Sequence, residues 1–122
     1  MEPESAPSPV TLGGGARFWV QPPAAPLRGS WCVEVEHLGS GWTGAIDSAA
    51  PDALLHAAGL EGAFAVRVRV AGPGEPPRSL APLAGARTEL TCGASCAALI
   101  GIAGGEDGTP AGFWTVGEAL CR

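Results

Sequence analysis

Ser30-Trp31-Cys32-Val33-Glu34-Val35-Glu36-His37 alternates strictly, with Trp31, Val33 and Val35 on one side of an extended chain and Cys32, Glu34 and Glu36 on the other. Phe64-Ala65-Val66-Arg67-Val68-Arg69-Val70 repeats the pattern, with Phe64, Val66, Val68 and Val70 inward and Arg67 and Arg69 outward. A period of two marks a sheet with one face buried and one wetted, the ordinary state of antiparallel sheets. The wetted faces carry opposite charge. The two segments are therefore expected to be neighbours in one antiparallel sheet, although exposed cross-strand pairs contribute only about 0.2–1 kcal/mol each.

Outward from these two, Ala16–Gln21 alternates around Phe18 and Val20, with Arg17, Trp19 and Gln21 on the opposite side, until Pro22 and Pro23 stop it. Thr88–Cys92, Ala98–Ala103 and Phe113–Val116 are further strand candidates, separated by Gly-rich turns such as 104–108. One short helix is expected after Pro51, with Asp52 at its positive end and Gly59 closing it beyond Leu54-Leu55-His56-Ala57-Ala58. Ala71–Ala86, rich in proline, reads as a long loop. The expected fold class is all-β, a compact antiparallel β-sandwich with one short connecting helix. Residues 1–9 form an acidic, Pro-rich segment expected to be a flexible tail, and residues 10–122 a single domain.

A chain of 122 residues supports one core. The core is thin, because Ala supplies 22 of the apolar residues against three Phe, three Ile, eight Val and eleven Leu, so the four Trp provide much of its bulk. Twelve acids against seven Arg and no Lys give a net charge of −5, the wrong sign for a phosphate-binding surface, and nucleic acid is not an expected partner. Met1–Pro9 lacks the basic and apolar regions of an export signal, and the uncharged run from 90 to 105 is too polar to span a bilayer. A cytoplasmic protein without membrane contact is the expectation.

Cys32, Cys92, Cys96 and Cys121 offer one short pair, Cys92 and Cys96, with no second pair to complete a zinc shell, and Leu99 stands where an iron–sulfur motif would need its third cysteine. In a reducing compartment all four are expected free, packed as small hydrophobes. His37 and His56 could each approach Cys92 or Cys96, but no nucleophile elbow, phosphate loop or metal-binding His pair accompanies them. Glu34 and Glu36, with Cα atoms about 6.6 Å apart on ideal strand geometry, read as solubilising charges. The glycines at 13–15 have no Lys or helix start after them to make a phosphate cradle.

Gly112-Phe113-Trp114-Thr115-Val116-Gly117 resembles the G-F-W-T-[VI]-G segment of PRY-SPRY domains. Trp31-Cys32-Val33-Glu34-Val35 is similar to their earlier Y-W-E-V-E-V strand, and Ala98-Leu99-Ile100-Gly101-Ile102-Ala103 to their W-x-[LI]-G-V-A strand, in the same order. Val33-Glu34-Val35-Glu36, Gly41-Trp42-Thr43-Gly44 and Ala50-Pro51-Asp52-Ala53-Leu54 resemble the pattern of neuralized homology repeats. Together the fragments cover about a third of the chain. The resemblance implies a SPRY-like, concanavalin-type β-sandwich that recognises protein partners through loops at one end.

The expected function is that of a non-catalytic protein–protein interaction module, a SPRY-like recognition domain or adaptor, with a protein partner, no cofactor and no metal. A small accessory subunit completed by a partner and a small Cys/His-dependent hydrolase are the alternatives; a large apolar patch on a sheet face would favour the accessory subunit. The partner-binding candidates are Trp42, Glu106 and Asp107. Trp42 stands in Gly39-Ser40-Gly41-Trp42-Thr43-Gly44, where it either plugs the end of the core or anchors a partner. Scarce aromatic bulk favours the plug. The anchor reading joins Trp42 to the Gly104–Gly112 loop in one surface.

Overall fold

The two alternating segments pair with each other. In the computed structural model, which describes residues 15–23, 27–93, 95–105 and 107–116, β2 (Ser30–His37) lies antiparallel to β5 (Gly62–Ala71), with Val33 opposite Val68 and Glu34 opposite Arg67. Their outer charges meet diagonally: Arg67 is 3.1 Å from Glu36 and Arg69 is 3.7 Å from Glu34. The charge pattern thus placed these strands correctly. The segment 1–9 lies outside the described residues.

Nine strands form two sheets among the described residues. The remaining seven are β1 (Gly15–Gln21), β3 (Thr43–Asp47), β4 (Leu55–Ala58), β6 (Arg78–Ser79), β7 (Glu89–Cys92), β8 (Ser95–Gly104) and β9 (Pro110–Val116). The first sheet has the order β4-β1-β8-β9; the second runs β3-β2-β5-β6, with β7 also pairing to β5. Their inner faces share one core cluster, in which Phe18 of the first sheet meets Phe64 of the second at 5.2 Å between ring centroids. Period-two alternation built that core from β-branched residues, which suit a pleated surface buried on one side.

Two expectations need correction. Among the described residues there is no helix: Pro51 and Asp52 lie in a turn, and Leu55–Ala58 is the strand β4, antiparallel to β1. So short a segment gains little from helical hydrogen bonds. It gains a ladder on the edge of β1, and Ala57 is buried there opposite Ala16. The sandwich is also not wholly antiparallel. β1 and β8 pair in parallel, Trp19 with Leu99, which is possible because the chain between them builds the second sheet and supplies the long connection a parallel pair needs.

Ala71–Ala86, expected as a loop, carries β6 and then crosses between sheets. Leu80 N–H donates to the Val68 carbonyl of the second sheet, and Leu83 N–H to the Phe113 carbonyl of β9 in the first. This crossing occupies part of the outer edge of β9 and limits the exposure of an otherwise free strand edge. Among the described residues no helix is long and apolar enough to cross a bilayer.

Candidate functional site

The outer faces of the two sheets differ in kind. That of the second presents Cys32, Glu34 and Glu36 on β2 beside Arg67 and Arg69 on β5, a solvated face with ion pairs. The first sheet carries large apolar side chains on its outer side as well, beside Arg17, Gln21 and His56. Because Ala16, Phe18 and Val20 of β1 and Ala98, Ile100 and Ile102 of β8 point into the core, the residues between them face outward. On the outer face Trp19 stands beside Leu99 and Leu99 beside Val116; Gln21 stands beside Gly101 and Gly101 beside Trp114. Trp19 and Val116 are each 36% exposed. Arg17, opposite Ala97 and His56, is the fixed charge of this face among the described residues.

Gly101 and Trp114 form one unit. A Cβ added at Gly101 would fall inside the Trp114 indole, so the ring lies directly over the glycine backbone. Trp114 is half-buried there. Cα atoms of Trp19 and Trp114 are two strands and two residues apart, about 12 Å on ideal sheet geometry. Past Trp114 the face runs into a cleft of about 360 Å³, lined by Gln21, Pro22, Pro23, Ala103, Gly104 and Trp114. Aromatic rings, small residues and a single amide therefore form one continuous surface.

The candidates chosen from sequence lie elsewhere and apart. The Trp42 carbonyl accepts from His37 N–H at 2.7 Å, at the end of β2, whereas the Gly108 carbonyl accepts from Arg28 N–H at 2.9 Å, beside its start. Trp42 and the Gly104–Gly112 loop consequently occupy opposite ends of β2, roughly 23 Å apart at ideal strand rise. The joint surface expected of them does not form. Trp42 is half-buried; its ring folds back over Gly44 toward Leu55 and meets Phe64 edge-on at 6.4 Å and 83°.

Asp107 is engaged in its own turn. Thr109 donates to its Oδ1 from the hydroxyl at 2.6 Å and from the backbone N–H at 3.2 Å, and these hydrogen bonds, the hydroxyl's first, hold the carboxyl below the usual aspartate range. Glu106 lies outside the described residues. His37, a strand end and a candidate partner for Cys92 or Cys96 in the sequence, is buried and committed: Nε2 donates to the Glu61 carbonyl at 2.6 Å, and Nδ1 accepts from the Ser40 N–H and hydroxyl at 3.1 and 2.7 Å. The ring ties the β2–β3 turn to the β4–β5 turn.

The cysteines also depart from expectation. Cys96 is disulfide-bonded, while Cys32 and Cys92 are free. Burial pushes both free thiols up, and at Cys32 the neighbouring Glu34 and Asp47 carboxylates add to the effect. Neither cysteine proposed as a nucleophile thus supplies a ready thiolate: Cys96 is oxidised and Cys92 is buried and protonated. A disulfide persists in oxidising surroundings, so the expectation of four free thiols is corrected and its cytoplasmic premise is not carried forward.

The fragments that resemble SPRY-like domains fall on β2, β8 and β9. No family model matches the chain, and neither does a curated protein or a solved structure.

Proposed function

We propose that this chain is a non-catalytic recognition module that binds through the outer face of its first sheet. The carrying observation is the asymmetry between the faces: ion pairs cover one sheet, whereas Trp19, Leu99 and Val116 lie in register on the other, with Trp114 two residues along β9. Exposed apolar patches of this kind mark binding surfaces, and Trp is the residue most enriched where binding energy concentrates. The SPRY-like resemblance supports a recognition role, though its implied site, the loops at one end, gives way here to a sheet face.

The accessory-subunit reading draws on the same face. Across β1, β8 and β9 and from the level of Leu99 to that of Ala103, the apolar surface covers on the order of 200 Å², from strand spacing and rise. A stable protein interface buries about 800 Å² on each partner. That comparison favours a selective binding face over a half-core awaiting its complement.

Affinity capture from the native source tests the proposal. Wild-type chain should retain a partner that Trp19→Ser fails to retain. Equal capture by Trp19→Ser, with loss on Asp107→Ala, would move the site to the loop end and refute the sheet-face assignment.

A further inference from the structure

The chemistry of this face goes further than its position, and the inference rests on the recognition face proposed above. We propose that its ligand is an uncharged, extended, β-linked polysaccharide, laid across Trp114 and Trp19 with its sugar-ring faces on the two indoles.

Size gives the first argument. An apolar area on the order of 200 Å², far below the roughly 800 Å² per side of a stable protein interface, fits a single narrow chain. Charge gives the second. The protein carries −5 overall, yet the described residues of this face bring one fixed charge, Arg17, at the end away from the cleft. A neutral ligand lying over Trp19 and Trp114 needs no partner for Arg17 and suffers no repulsion from the acidic remainder.

Ring chemistry gives the third. The C–H bonds on the flat side of a pyranose carry partial positive charge and meet the negative face of an indole, so a sugar stacks where a planar aromatic is presented flat. Trp114, resting on the Gly101 backbone and half-buried, would offer its free side to such a ring. Between the two indoles β8 contributes Leu99, an apolar step beside Trp19, and Gly101, which keeps the ground beside Trp114 low. The separation of about 12 Å between Trp19 and Trp114 Cα atoms is a span that sugar rings of one extended chain can bridge. Equatorial β-linkages keep such a chain flat, whereas axial linkages curl it away from a plane. The Gln21 side-chain amide at the cleft is placed to exchange hydrogen bonds with ring hydroxyls, the polar contact that orients a ligand on an otherwise apolar surface.

The purified full chain should be mixed with insoluble cellulose, chitin, xylan and mannan, and titrated calorimetrically with the matching hexasaccharides. Retention on at least one polymer is expected, with Trp19→Ala lowering affinity tenfold or more, Trp114→Ala doing the same, and Glu34→Gln on the opposite sheet having no effect. Trp19 faces solvent, so Trp19→Ala tests the site even where Trp114→Ala fails to fold; thermal melts establish which variants are folded. Absence of retention on all four polymers overturns the proposal, as does retention that Trp19→Ala leaves unchanged. Trp19-dependent capture of a protein, with no polymer bound, overturns the glycan assignment while leaving the recognition face standing.

Discussion

Trp42→Ala should cost the domain stability rather than ligand affinity. The ring is half-buried against the core, edge-on to Phe64 at 6.4 Å and 83°, and folded over Gly44. Truncating a fully buried large aromatic costs about 3–5 kcal/mol, so half that burial corresponds to roughly 1.5–2.5 kcal/mol. Loss of the edge-to-face pair adds about 0.5–1.5 kcal/mol. The sum is about 2–4 kcal/mol. For a domain near 100 residues each kcal/mol moves Tm by about 4–8 °C, so a fall of at least roughly 8 °C is expected in a thermal melt followed by far-UV circular dichroism. A fall under about 3 °C, combined with lost ligand binding, would refute the plug argument and restore Trp42 as an anchor.

The oxidation state of Cys96 predicts that a thiol reagent applied to the unfolded, unreduced chain labels Cys32 and Cys92 but not Cys96; labelling of Cys96 before reduction contradicts the disulfide. Asp107 should titrate below the ordinary aspartate value of about 3.9 in a carbon-detected NMR titration. Its folded pKa is depressed, so its contribution to folding is fully present above the unfolded value and is lost as pH falls through the lower folded value. Thr109→Val should move the midpoint back up, and a wild-type midpoint at or above 3.9 sinks the argument. Arg67→Ala removes only an exposed ion pair and should change unfolding free energy by less than about 1 kcal/mol in urea; a larger loss would show that the outer charges of the second sheet do more than solubilise it.

The parts of this fold legible in the sequence are those with local contrast. β2 and β5 announce themselves because valines alternate with charges of opposite sign, which fixes both the inner face and the partner. β3 and β4 do not. Thr43-Gly44-Ala45-Ile46-Asp47 has one large apolar residue, and Leu55-His56-Ala57-Ala58 reads equally as a helical turn; only the free edge of β1, a partner distant in sequence, decides for a strand. The parallel pairing of β1 with β8 rests on the same non-local information.

The binding face was half legible. Phe18 and Val20 identify the inner side of β1 and so put Trp19 outside, beside Arg17 and Gln21. Ala98–Ala103, by contrast, is apolar on both faces, which marks a strand that is either covered on both sides or exposed for binding. Trp114 lay within the GFW segment, but its position over Gly101 depends on the β8–β9 register, which neither segment encodes alone. Glycine-rich loops suggest accessible sites, and so the sequence points to Trp42, Glu106 and Asp107. Trp42 instead closes the core and Asp107 braces a turn, while Glu106 is outside the described residues.

The most direct test of the sheet-face account is a map of backbone amide shifts on a labelled sample titrated with the ligand that the wild-type chain retains. The shifts are predicted to concentrate on Arg17–Gln21, Ala97–Ala103 and Gly112–Val116, the three adjacent strand segments that carry the Trp19–Trp114 surface. Shifts concentrated instead on Leu38–Trp42, or on Asp107–Thr109, would place binding at an end of the domain and contradict the account.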